Sequence, residues 1–273
     1  MRVMDLYRGI GGLRGDSVSA FLKTWKQYMN DPDLYRVCLE DASGYDLKSQ
    51  VLPVIRHALE NRDLIDRAHD NFLAIIDELR RKYNRLFKEP DVCLVFYLGL
   101  CSGAGWVVDI KEKDHILFGV EKIVELRWEK RPQLYHLVCH ELGHVAYKHL
   151  GGTLADSTSE NNAQSIRQLH SEGFAEHVAS LLSPYQNSRG PTWLNWCEAN
   201  LDCIKHEFLG FLKEGRDTQP FFGDWSSILG HSDLGYFLGL KFIETLAKDH
   251  DLKTIARMEI DKIRSHLVRF LTA

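Results

Sequence analysis

The chain has 273 residues, of which 44% are hydrophobic and 26% charged, with a formal net charge of −4 at neutral pH. That balance suits a globular chain folded as one large domain or two small lobes. The mild acidity, without any basic run, argues against a nucleic-acid partner, and no apolar run approaches the length of a membrane span.

In chain order, residues 1–8 (Met-Arg-Val-Met-Asp-Leu-Tyr-Arg) are charged and lack the apolar centre of a secretory signal. Six cysteines are scattered without paired metal-binding spacing. Together these predict reduced thiols and a cytoplasmic location. Residues 1–90 read as a helical region. Asp16 is the expected N-cap of a helix over 17–29. Over 62–87, Ile65, Ala68, Phe72, Ile76, Leu79, Tyr83 and Leu86 recur at spacings of three and four, which predicts a long amphipathic helix. Pro53 is expected to start or kink the helix before it.

The character changes after residue 90. Segments 92–98, 106–110 and 115–118 are strand-like, rich in β-branched and aromatic residues. Cys101-Ser102-Gly103-Ala104-Gly105 is the turn between the first two, and a plain hairpin turn is one reading of it.

Next comes His140-Glu141-Leu142-Gly143-His144, an HExxH run inside a helix whose apolar residues Leu134, Leu137, Val138, Leu142, Val145 and Ala146 give a broad buried surface. Two histidines four apart project from one helical face, where both imidazoles can bind one Zn²⁺ while Glu141 reaches a water on the metal. Cys139 reads as a small buried residue. A catalytic zinc needs a third protein ligand. His149, five residues after His144, faces the far side of the helix. His136 shares the right face but lies about 12 Å along the axis from His144 at 1.5 Å per residue.

Glu172 is the better candidate. Residues 162–182 are helix-compatible, with Ile166, Leu169, Phe174, Val178 and Leu181 apolar. Gly173 inside this segment costs about 1 kcal/mol relative to alanine, which predicts a close approach to the metal-binding helix that brings Glu172 within reach. Glu176, one turn later, could accept a hydrogen bond from the second nitrogen of a ligand histidine. A solvated acidic face is the alternative reading of both glutamates. After Pro184, Leu194, Cys197, Leu201, Ile204, Phe208 and Phe211 follow a three-four rhythm that means core packing. Asp233 is the expected cap of a last helix running to about residue 248.

The HELGH run followed by Glu172-Gly173-Phe174-Ala175-Glu176-His177 resembles the gluzincin peptidases. The layout over about residues 90–245 is most similar to bacterial predicted zinc-dependent proteases of unassigned substrate. These have helices, a short strand region, HExxH, EGxA and a late glycine–tyrosine helix. The resemblance implies a mainly helical α+β fold with a thermolysin-like core, in which a small sheet packs on the HExxH helix and a helical C-terminal lobe borders the cleft. Its parts would be 1–90, 91–160 and 161–273. It implies one zinc per chain on His140, His144 and Glu172, Glu141 as general base, and a peptide or small protein as substrate. Tyr236, or else His231, would stabilise the tetrahedral intermediate, although Tyr236 reads equally as a core aromatic. Gly103, Ala104, Gly105 and Trp106 would form a strand edge that holds an extended peptide. One departure stands out: 27 residues, 145 to 171, separate His144 from Glu172, more than in thermolysin-like enzymes. The loop-like linker 151–159 would absorb the excess; otherwise Glu176, Glu160 or His177 would be the third ligand. Two other functions stay open: a metal-binding regulatory or partner-binding protein with little turnover, and a non-peptide amide or ester hydrolase.

Overall fold

The computed structural model describes residues 1–14, 16–88, 91–153, 161–185 and 189–273. The chain forms β1 (Arg2–Asp5), α1 (Tyr7–Ile10), α2 (Val18–Met29), α3 (Pro32–Asp41), α4 (Leu52–Glu60), α5 (Arg62–Leu86), β2 (Val92–Tyr97), β3 (Trp106–Ile110), β4 (Lys113–Gly119) and α6 (Val120–Glu125). There follow α7 (Arg131–His149), α8 (Asn161–Leu182), α9 (Pro191–Ala199), α10 (Leu201–Glu214), α11 (Leu234–Leu246), α12 (Leu252–Ala256) and α13 (Ile260–Thr272). The architecture is α+β, mainly helical, with one small mixed sheet. Two compact units divide the chain, 1–141 and 142–273, and the division falls inside α7.

In the first unit the sheet order is β1-β2-β4-β3. β1, β2 and β4 run parallel, and β3 is antiparallel to β4. All six residues of β2 are buried, as its unbroken apolar sequence requires of a strand covered on both faces. The turn 101–105 therefore does not close a hairpin. β4 lies between β2 and β3, and β3 is an edge strand. The hairpin is β3–β4, whose two turn residues Lys111 and Glu112 have φ of 53° and 59°, the left-handed pair of a type I′ turn. Lys111 Nζ also meets Asp33 Oδ2 of α3 at 2.6 Å.

The helices before the sheet follow their sequence signals with two adjustments. α2 is capped by Ser17, whose Oγ accepts the Ala20 amide at 3.2 Å. Asp16 is not the cap, because the extended backbone that marks the helix boundary belongs to Ser17. Pro53 stands second in α4, where a missing N–H costs nothing. α5 buries Ile65, Ala68, Phe72, Ile76, Leu79 and Tyr83 on one face. Trp25 of α2 donates from Nε1 to the Leu98 carbonyl at 2.8 Å, and Leu98 N donates to Tyr28 Oη at 2.8 Å. These bonds fix the chain where it leaves β2.

In the second unit α8 and α11 touch through glycines. A Cβ on Gly173 would lie 2.2 Å from the Gly239 carbonyl oxygen. The part of α7 that belongs to the first unit is buried without interruption from Leu134 to Cys139, so that stretch is covered on every side. The six cysteines are free thiols. Among the described residues no helix is long and apolar enough to cross a membrane.

Candidate metal centre

His140 and His144 stand one turn apart on α7, and the helix alone sets them on one face. His140 is 8% exposed. The side chains of His144 and Glu172 are 13% and 19% exposed, with His144 Nε2 3.3 Å from Glu172 Oε2. One ligand atom from each of His140, His144 and Glu172 lies within 4.8 Å of the others. Ligands at zinc's usual bond lengths of about 2.1 Å sit about 3.4 Å apart on a tetrahedron. The His144–Glu172 separation matches that edge. Two imidazole nitrogens and one carboxylate oxygen are also a donor set of catalytic zinc, which leaves a fourth position open. Zinc fits these residues.

Among the described residues, no other candidate ligand joins this group. His136 is buried one turn before His140, and His149 is exposed. Glu160 and positions 154–159 of the linker are outside the described residues. His177 is half-buried; burial lowers its pKa and the Glu244 carboxylate opposes this. Among the described residues no second group of this kind comes together.

Glycine sets the spacing of the helices, though not the glycine expected. A Cβ on Gly143 would lie 2.7 Å from both Cα and the carbonyl oxygen of Ala175. Gly143, within the HELGH run, is thus what lets α7 and α8 meet. Gly173 faces Gly239 of α11 instead. The reason is helical geometry: positions 172 and 173 point about 100° apart, so a Glu172 turned toward His144 directs Gly173 at another neighbour.

Glu141 is buried, and its carboxylate rests on the backbone of Gly105, where a Cβ would lie 2.8 Å from Glu141 Cγ and Oε1. A side chain there would displace Glu141. The loop before it is held from below by Glu121 at the start of α6, whose carboxylate accepts the Gly99 amide at 2.7 Å and the Cys101 amide at 3.0 Å. Burial raises the Glu121 pKa and those two backbone bonds oppose the rise. Ala104 is buried, and its carbonyl accepts the Gly119 amide at 3.2 Å. The Gly103 carbonyl oxygen also faces Gly119, 2.7 Å from where a Cβ would be. Trp106 opens the edge strand and donates from Nε1 to Tyr97 Oη at 3.2 Å. The segment 103–106 therefore joins Glu141 to the edge of the sheet.

One turn beyond Glu172 on α8, buried Glu176 faces Arg189, with Oε1 3.6 Å from Nη1. Arg189 Nε donates to Asp233 Oδ2 at 3.0 Å. The guanidinium lies over two rings, 4.4 Å from the centroid of Tyr236 and 5.2 Å from that of Trp193. Burial lowers the Arg189 pKa, but Asp233 and Glu176 outweigh it and hold the group above its ordinary value. Asp233 occupies the N-cap position of α11, yet its side chain does not cap the helix. Its φ of 64° turns it away, and its carboxylate takes Arg189 and the Gly223 amide, the latter at 3.0 Å. Tyr236 packs edge-on against Phe222. His231 is stacked on Trp196 at 3.8 Å. Tyr236 is thus linked through Arg189 to Glu176, whereas the ring partner of His231 is on α9.

Arg189 and Glu121 escaped the sequence reading. Each acts singly: Asp233 is 44 positions from Arg189, and Gly99 is 22 from Glu121. Neither belongs to a run whose spacing could reveal it.

No protein family, curated protein or solved structure matches the chain.

Proposed function

We propose that the chain is a zinc-dependent hydrolase, a peptidase of the gluzincin kind with a thermolysin-like core. The observation that carries this reading is the convergence of His140, His144 and Glu172 within 4.8 Å, with a buried glutamate between the histidines. Those three side chains would hold the ion. When bound, zinc supplies Lewis acidity, making a water more acidic and polarising a carbonyl.

The chain's own residues would do the rest. Glu141 takes a proton from the attacking water as its oxygen bonds to the carbonyl carbon. It delivers that proton to the amide nitrogen as the C–N bond breaks. Its place against Gly105 leaves the carboxylate beside the start of an edge strand, the kind of element to which an extended peptide can add. Tyr236, or in second place His231, would donate to the developing oxyanion. Burial of Glu141 and His140 excludes bulk water from the reacting groups, which strengthens their electrostatic action. Six free thiols support action in the cytoplasm.

Metal analysis of the purified protein tests the reading, alongside Glu172→Ala, Glu176→Ala and Glu141→Gln. The expected result is one zinc per chain, lost with Glu172→Ala. Glu141→Gln should keep the metal and lose hydrolysis of a diverse peptide library. A wild type without zinc ends the proposal, and loss of zinc with Glu176→Ala alone moves the third ligand to Glu176. Zinc binding with hydrolysis of aryl esters but of no peptide reassigns the substrate class.

A further inference from the structure

A cavity of ≈ 570 Å³ opens among α10, α11 and α13 in the second unit. Its apolar floor includes Phe242 and Phe270, whose ring centroids are 5.6 Å apart. Among the described residues, four cations, Lys205, Lys241, Lys248 and Arg269, line it against three carboxylates, those of Glu244, Asp249 and the terminal Ala273. This is an excess of positive charge in a chain whose net charge is −4. Lys241 is matched by Glu244 at 3.2 Å. Lys205 is not matched in the same way. Its side chain is 12% exposed, while Asp202, its ion-pair partner at 3.9 Å, is 97% exposed and well solvated. The Lys205 ammonium stands 4.7 Å over the Phe270 ring, which compensates part of its lost hydration. His266 reports the same field. Its Nδ1 lies 3.2 Å from Arg269 Nη2 and its ring meets His250 edge-on. Its pKa is held down by burial first, then by Arg269, His250 and Lys262, with Asp249 opposing.

We infer that this cavity is a binding site for a small organic anion, a phosphate or carboxylate head on an apolar ring or short chain. Lys205, Lys248 and Arg269 take the head, and Phe270, backed by the buried Phe242, takes the body. A largely buried lysine above an aromatic floor selects this class, because an inorganic ion would leave the floor uncovered and a neutral apolar molecule would leave the ammonium with only the solvated Asp202 as its countercharge. The site is separate from the candidate metal centre and does not depend on zinc chemistry.

The test uses the purified full chain and two fluorescent probes of similar shape: anionic 8-anilinonaphthalene-1-sulfonate and uncharged N-phenyl-1-naphthylamine. The wild type is expected to bind the anionic probe at least about tenfold more tightly, and Lys205→Met to weaken it by about tenfold, as loss of a partly desolvated charge partner does. Arg269→Gln and Lys248→Glu, at exposed positions that leave folding intact, should each weaken the anionic probe severalfold and spare the neutral one. Displacement by phenyl phosphate or by benzoate then distinguishes the two kinds of head. Equal affinity for the two probes overturns the inference. So does unchanged anionic binding in both Arg269→Gln and Lys248→Glu, whether or not Lys205→Met folds, and so does failure of both competitors.

Discussion

Gly143 lies with its Cα against Ala175, so close that a Cβ at 143 would be 2.7 Å from the Cα and the carbonyl oxygen of Ala175. Two effects of opposite sign therefore compete in Gly143→Ala. Helix propensity alone would stabilise the variant by about 1 kcal/mol. Overpacking against backbone, which cannot swing aside as a side chain can, costs about 1–3 kcal/mol. We expect the second to win, with a net loss in urea unfolding of the metal-free protein. Zinc affinity should fall too, because pushing α8 away lengthens the 3.3 Å separation of His144 and Glu172. A stabilised variant would show that the two helices are not in tight contact.

Gly173→Ala should be worse. Its Cβ would lie 2.2 and 2.3 Å from the carbonyl oxygen and carbon of Gly239, closer than any ordinary contact, so α8 and α11 must part. The expected order of Tm is wild type, then Gly143→Ala, then Gly173→Ala. The reverse order for the two variants would mean that the glycine contact of α8 with α11 is the looser one.

Removing the guanidinium that joins Glu176 to Asp233 should cost several kcal/mol. Arg189→Met leaves two mostly buried carboxylates without their countercharge, a loss of about 3–5 kcal/mol for a buried pair. Arg189→Lys keeps the charge but cannot span both acids and two rings, so it should recover only part. Adding Asp233→Asn to Arg189→Met should restore part of the stability measured by urea unfolding, since Glu176 keeps its charge. No recovery in the double variant would mean that the arginine stabilises through its ring contacts alone.

Glu121 gives a pH signature. Its folded pKa is raised, chiefly by burial, so the native state holds a proton that the unfolded chain releases at lower pH. The linkage sign follows: the contribution of this group to stability is greatest below the unfolded carboxylate range and declines as pH rises toward its folded value. The stability difference between wild type and Glu121→Gln should therefore shrink from pH 4 toward neutrality. Denaturant curves at several pH values check this. A difference that grows with pH would mean that the Gly99 and Cys101 amides, which favour the ionised form, outweigh burial.

The parts of the fold that could be read in the sequence are those written in local periodicity. The three-four rhythm of α5 and the apolar runs of β2, β3 and β4 all appear within a residue or two of their expected limits. Pairing was not legible. β1 has only four residues, mostly exposed, and its partner is some ninety positions on. The parallel union of β2 with β4 depends on contacts that no short window contains, so the turn 101–105 looked like a hairpin. The same divide runs through the candidate site. HELGH and EGFAEH each place side chains on one helical face by spacing alone, and the structure brings His140, His144 and Glu172 together. Gly173 announced a close approach without revealing that α11 was the neighbour. Arg189 depends chiefly on the distant Asp233, Glu176 and Tyr236 and left no trace in the pattern.

The β3–β4 turn shows where the molecule has given up local preference. Lys111 and Glu112 hold left-handed backbone angles that asparagine and glycine adopt more readily. Lys111 nevertheless reaches Asp33 at 2.6 Å, tethering the rim of the sheet to α3. The pair Asn-Gly would relax the turn and release the tether in one step, whereas Glu112→Gly alone relaxes it and keeps the tether. The hairpin tip is therefore a natural place to graft a tag or a reporter, with Glu112 the position to alter and Lys111 the one to keep.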